Sequence, residues 1–148
     1  MTITNYDERV LKASHPVPGA PNNWRRFFGF NTDAKVIGIQ YIVTALFFLL
    51  LGGLLGMLIR GELITPPSDL FDPSVYNGLY TMHGTVMLFL FLFPVLSGLT
   101  NLLVPPMIGA PDMAFPKLNA LAFWLVPVFS IVLLASFFVP GGPASSGW

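Results

Sequence analysis

The sequence contains no cysteine and very little charge. Without cysteine, these 148 residues cannot form a disulfide, a thiolate metal site or a c-type haem attachment. Only 9% of the residues are charged, against about 25% in average soluble domains. The formal net charge is zero, so no basic excess indicates nucleic acid as a partner. An average soluble domain and a nucleic-acid-binding module are therefore both disfavoured.

Long apolar runs take the place of the missing charge. Hydrophobic residues make up 54% of the chain, and three runs can each cross a hydrocarbon core of ~30 Å at ~1.5 Å per residue. We predict an all-α, multi-pass integral membrane protein with about three helices in the lipid bilayer: Val36–Ile59, Tyr76–Val104 and Leu118–Val139. Because no apolar run precedes residue 36, we expect the first helix to direct its own insertion.

The basic residues are unevenly distributed along the chain. Five of the seven precede the first predicted helix, namely Arg9, Lys12, Arg25, Arg26 and Lys35, whereas the loop from Arg60 to Asp72 has no lysine and three acids. The positive-inside rule then places the N-terminus in the cytoplasm. We divide the chain into a cytoplasmic tail with an interfacial segment (1–35) and a three-helix membrane segment (36–148).

Prolines mark the second predicted helix. Pro94 lies inside it and is expected to kink it. Pro105 and Pro106 are expected to end it, because proline has no amide proton to donate.

His83 lies inside the second apolar run, within an uncharged stretch from Pro73 to Pro111. An ionisable residue at such a place is costly unless it is paired, ligated or beside water. Two interpretations follow from the residues alone: His83 binds a metal such as haem iron, or it is a buried histidine bonded to a neighbouring helix. The other histidine, His15, lies in the polar tail and is interpreted as solvated.

Gly52, Gly56 and Arg60 are spaced by four residues and share one face of the first helix. Small residues at this spacing let another helix, or a flat cofactor, approach the backbone. The pattern does not choose between the two. Arg60 at the helix end can extend its guanidinium to the headgroups.

Several residues together resemble subunit I of the haem-copper oxidases. They are Tyr76, Thr81, His83, Gly84, Asn101, Trp124 and the run VPPMIGAPDMAFPKLN from Val104 to Asn119. The resemblance extends from about Trp24 to Trp148 and implies the first part of a bundle of about twelve helices. Such subunits are several times longer, work with other oxidase subunits in a bacterial cell membrane or another respiratory membrane, and pass electrons from cytochrome c or quinol to oxygen while pumping protons.

The resemblance also assigns residues to a low-spin haem. His83 matches its axial ligand, Arg60 matches an arginine against its periphery, and Tyr76 and Gly84 match positions beside it. Glu62 matches a position that in parts of the family is linked to bound calcium or sodium. One carboxylate is a weak signal, since Ca²⁺ takes 6–8 oxygen ligands.

A second group matches the entrance of the family's main proton-uptake channel. Asp112 corresponds to the carboxylate at its mouth, and Asn101 and Asn119 to two asparagines just inside. The alternative is that Asp112 is solvated or only shapes its turn. His83 and Asn101 are 18 residues apart, five turns of ideal helix, so we expect them to share a face at opposite ends.

The number of histidines limits how many metal centres this segment can bind. The family needs further histidines for the second axial bond, a high-spin haem and a copper ion, and the chain has only His15 and His83. We therefore expect the second haem and the copper only in the full-length subunit, no catalytic residue here, and no activity of the segment alone. The alternatives are a non-catalytic haem-binding or assembly module and a membrane packing protein.

Overall fold

The computed structural model describes residues 24–64 and 70–147. The predictions for the N-terminal tail with His15, and part of the loop between Arg60 and Asp72, fall outside the described residues. Three helices are long and apolar enough to cross a membrane: α1 (Ala34–Glu62), α2 (Pro73–Met107) and α3 (Pro116–Phe138). A 3-10 turn at Trp24–Phe27 precedes α1, and the described residues form no strand. The all-α, three-helix prediction is confirmed.

The start of α1 is fixed by a capping carboxylate. Asp33 has extended backbone geometry, and its Oδ1 accepts a hydrogen bond of 2.9 Å from the Lys35 amide. Such a cap satisfies one of the amides that a helix N-terminus leaves free. α1 therefore begins two residues before the predicted Val36. Its other end passes the predicted Ile59 and stops at Glu62.

α2 is one helix with an irregular middle. Its α-helical parts, Pro73–Thr85 and Phe93–Met107, flank a π-helical stretch at Val86–Leu92. At the end of this stretch the Phe93 amide donates to the Leu88 carbonyl, five residues back. The next residue, Pro94, has no amide to donate. The departure from regular geometry thus adjoins the proline at which a kink is predicted.

Pro105 and Pro106 do not end α2, contrary to the prediction. Both lie inside the helix, which continues to Met107. They have no amides to donate, but their carbonyls remain, and these accept from Ala110 (2.9 Å) and Gly109 (3.3 Å). This pair of bonds around a left-handed Gly109, φ +69°, is a Schellman cap. The helix therefore ends at Met107, and the left-handed Gly109 two residues later caps it.

Glycines allow α1 and α2 to pack closely. A Cβ added to Gly38 would lie 3.0 Å from the Gly98 carbonyl oxygen, and one added to Gly98 would lie 2.9 Å from the Gly38 carbonyl oxygen. Close backbone approach through small residues is a typical way for membrane helices to associate. The α1–α2 interface therefore sets the distance between the two helices that carry the candidate site.

α3 packs against α1 near the chain's N-terminal end. Tyr41 and Phe123 form an edge-to-face pair with ring centroids 5.1 Å apart, and Ile37 and Ala120 are buried beside them. Elsewhere the helices present large apolar side chains outward, such as Leu50, 76% exposed. Such a surface suits lipid or further helices.

Candidate functional site

His83 lies on α2 and its imidazole faces α1. Its Nδ1 is 2.8 Å from the carbonyl oxygen of Gly52. A carbonyl can only accept, so Nδ1 carries the proton in this bond. In the neutral ring, Nε2 then keeps a free lone pair. The histidine is therefore bonded to a neighbouring helix, and the nitrogen that would bind a metal is left available.

The His83 ring lies against Gly56, whereas the space left by the missing Cβ of Gly52 is filled by Met87. A Cβ added to Gly56 would lie 3.1 Å from His83 Cε1 and 3.4 Å from Nδ1, and one added to Gly52 would lie 2.6 Å from Met87 Sδ. Of the two interpretations of the small-residue spacing, the structure thus shows close helix packing. The packed partner is the helix that carries the histidine.

Two further residues matched to the haem site lie on the same helix as His83. Tyr76, half-buried, precedes it by seven residues, or about two turns. Gly84 follows it directly, and a Cβ added there would meet none of the described atoms within 4 Å. The surface beside the histidine is therefore open at Gly84.

Arg60 and Glu62 lie at the end of α1, beyond the two glycines. The Arg60 side chain is exposed, whereas Glu62 is only 4% exposed and its Oε2 has no hydrogen-bond partner among the described residues. A buried carboxylate oxygen without a partner is costly. The described residues contain no group of three or more potential metal ligands, so the cation at Glu62 stays a prediction.

Asp112 connects the loop between α2 and α3 to the start of α1. Its Oδ1 accepts hydrogen bonds from the Met113 amide (2.7 Å) and from the Ala34 amide (3.1 Å), the first helical residue of α1. A negative charge at a helix N-terminus is also favoured by the helix dipole. The side chain is half-buried. Asp112 is therefore held in place by backbone amides.

Asn101 and Asn119 are brought together across two helices. Asn119 Nδ2 donates to Asn101 Oδ1 at 2.5 Å, and Asn101 Nδ2 donates to the Ser97 carbonyl at 2.9 Å. Asn101 is 4% exposed. The two asparagines thus link α2 to α3 through a partly buried polar pair at the end of α2 that leads to the loop of Asp112.

The two groups of candidate residues lie apart on α2. His83 and Asn101 are 18 residues apart, ~27 Å along an ideal axis. The π-helical stretch between them changes the number of residues per turn, so an ideal-helix count cannot establish a shared face. The structure instead shows the histidine bonded to α1 and the asparagine bonded to α3.

Three hydrogen-bond partners of these residues are backbone groups that the sequence does not predict: the Gly52 and Ser97 carbonyls and the Ala34 amide. Every residue has a backbone carbonyl, so this group carries no signal in the sequence. Only the spacing of the glycines indicated that another group would approach the backbone at Gly52. No comparable pattern marks Ser97 or Ala34.

Comparison with known proteins gives a consistent answer. The family described as Cytochrome C and Quinol oxidase polypeptide I matches residues 36–148. Cytochrome c oxidase subunit 1 of Thermostichus vulcanus is 53% identical over 135 residues, covering 89% of this chain and 24% of that protein. The subunit of the same name from Synechocystis sp. is 47% identical over 138 residues, covering 93% and 24%.

A third relative has a similar name. Putative cytochrome c oxidase subunit 1-beta of Streptomyces coelicolor is 50% identical over 117 residues, covering 79% of this chain and 20% of that protein. The chain thus spans 20–24% of the length of these curated relatives. Its three apolar helices and its similarity to these proteins show that it is an integral membrane protein. The chain belongs to the cytochrome c and quinol oxidase polypeptide I family.

Proposed function

We propose that this chain is the N-terminal part of the catalytic subunit of a terminal oxidase, an oxidoreductase that passes electrons from cytochrome c to oxygen and pumps protons. Family membership and relatives named cytochrome c oxidase subunit 1 support this proposal. The family description also covers quinol oxidases, so quinol is the alternative electron donor. The chain would work with the remaining helices of the subunit and with the other subunits of the complex.

The main support for this proposal is the hydrogen bond of His83, which leaves its Nε2 unprotonated in the neutral ring. Haem iron binds a neutral imidazole nitrogen, and metal-binding histidines commonly donate their other N–H to a carbonyl. The bond from Nδ1 to the Gly52 carbonyl has that form, and the open surface at Gly84 leaves room beside the ring. These residues fit a low-spin haem, with His83 as one axial ligand. When bound, haem supplies one-electron transfer.

The other residues at this end would act on the haem from its edge. Arg60 would hold a positive charge near the macrocycle, which favours the reduced state, and Tyr76 and Gly84 would border it. The second axial ligand, a second haem and the copper would depend on residues outside these 148. With only two histidines in the sequence, the segment alone would not reduce oxygen.

Asp112, Asn101 and Asn119 would form the entrance for protons at the opposite end. The half-buried Asp112 carboxylate would collect protons from solution, and the amides of the asparagine pair would orient water molecules. The support is their placement: Asp112 is fixed by two amides, and the asparagines bond to each other. We further propose that this end, with the chain's N-terminus, faces the cytoplasm of a bacterial cell.

Oxygen consumption by the purified complex that contains this chain tests the overall function. We expect uptake with reduced cytochrome c as donor, and no uptake by the isolated segment in lipid vesicles. Uptake with quinol alone would select the alternative donor. A complex that binds haem but consumes no oxygen with either donor would indicate a haem-binding or assembly module and contradict the proposal.

A further inference from the structure

The contact between His83 and α1 has two components with different effects on the ring. The 2.8 Å bond from Nδ1 to the Gly52 carbonyl determines which nitrogen carries the proton. The position of Gly56, whose added Cβ would lie 3.1 Å from Cε1, determines how closely the ring edge can approach the helix. Together they restrict both the tautomer and the orientation of the imidazole.

The other glycines of this part of α1 do not share this feature. A Cβ added to Gly53 or Gly61 would meet no described atom within 4 Å. A glycine in a helix interior costs about 0.5–1 kcal/mol relative to alanine. At Gly56 the missing Cβ is explained by the histidine, because the three described atoms nearest to that position all belong to the His83 ring.

We propose that Gly52 and Gly56 are positioning residues for the haem ligand. The Gly52 carbonyl holds His83 with Nε2 free and makes the imidazole more basic, as an N–H acceptor does for metal-bound histidines. Gly56 keeps the ring close enough for that bond to form. This inference rests on the proposed role of His83 and adds that α1 adjusts the reduction potential of the haem through the ligand.

The direction of the effect follows from the basicity of the ligand. A more basic imidazole stabilises ferric more than ferrous iron and so lowers the potential. In Gly56→Ala, the Cβ would push the ring away by a few tenths of an ångström and lengthen the Nδ1–carbonyl bond. We expect the potential of the low-spin haem to rise and its electron paramagnetic resonance g-values to shift. The helix itself favours alanine.

The experiment is a redox titration of the intact oxidase with electron paramagnetic resonance of the ferric low-spin haem. Gly53→Ala is the matched control: it makes the same change three residues away, where the added Cβ meets none of the described atoms. We expect wild-type values in the control and shifted values in Gly56→Ala. Loss of only the low-spin haem in Gly56→Ala would also support the proposal.

Two results would overturn it. One is an unchanged potential with unchanged g-values in Gly56→Ala. The second result applies if that variant fails to assemble any cofactor, and it is measured on the unmodified enzyme. Electron–nuclear double resonance with ¹⁵N-histidine would then find no hydrogen-bonded proton on the nitrogen of the ligand that does not bind the iron. A low-spin haem that persists in His83→Ala would instead refute the ligand role itself, so the two failures are distinguishable.

Discussion

Replacing Asp112 with asparagine separates its charge from its hydrogen bonds. The side chain has two possible roles, since its Oδ1 holds the amides of Ala34 and Met113 and its charge is proposed to collect protons. Asparagine keeps an oxygen acceptor of the same shape and caps helices about as well as aspartate. Only the negative charge is lost, and its interaction with the helix dipole contributes about 0.3–1 kcal/mol.

The expected stability cost of Asp112→Asn is therefore below about 1 kcal/mol, too little to unfold a large membrane subunit. Asp112→Ala also loses the acceptor, and removal of a cap costs about 0.5–2 kcal/mol. If proton collection limits turnover in Asp112→Asn, we expect oxygen consumption to fall at least about tenfold, which corresponds to about 1.4 kcal/mol in the activation barrier. Pumping should stop while the haem spectrum remains normal.

The assay is steady-state oxygen uptake with proton release from vesicles that contain the oxidase. Asp33→Asn is the matched control, because Asp33 also caps α1 at the same end, at 2.9 Å from the Lys35 amide, and has no proposed part in proton uptake. We expect near wild-type turnover in Asp33→Asn. Full turnover with pumping in Asp112→Asn would refute the proton-entry role and leave Asp112 as a cap alone.

Three further predictions follow from the same arrangement. Asp69→Cys should react with an impermeant maleimide from outside intact cells, and Lys117→Cys only after permeabilisation; the reverse pattern would invert the topology. Arg60→Met should keep the haem but lower its reduction potential, because a positive charge that favours the reduced state is removed. An unchanged potential would indicate that the Arg60 guanidinium contacts only the lipid headgroups. Glu62→Gln should weaken Ca²⁺ binding to the intact enzyme in a metal titration, whereas the exposed Asp72→Asn should not; equal affinity in Glu62→Gln and the wild type would remove Glu62 from any cation site.

The helices could be predicted from the sequence because their signal is strong and local. Long runs without charge leave few alternatives to membrane helices, and all three were found. The ends were harder to predict. Pro105 and Pro106 suggested a stop, but both lie inside the helix, which ends at Met107, two residues before the left-handed Gly109.

The candidate residues were named from the sequence, but their contacts were not. His83 was singled out as an ionisable side chain in an apolar run and Asn101 through the family resemblance, yet their partners include the carbonyls of Gly52 and Ser97. Backbone groups have no residue-specific pattern. The π-helical stretch at Val86–Leu92 was likewise not predicted, since only a kink at Pro94 was expected. Its hydrogen bonds depend on how α2 packs along its whole length.

The low-spin haem spectrum of His83→Ala tests the central proposal most directly. In the intact oxidase, the imidazole would supply one of two axial bonds to the iron, and alanine cannot replace it. We expect the low-spin absorption and electron paramagnetic resonance signals to disappear in His83→Ala. They should remain in His15→Ala, which removes the chain's other histidine. A normal low-spin spectrum in His83→Ala would contradict the assignment.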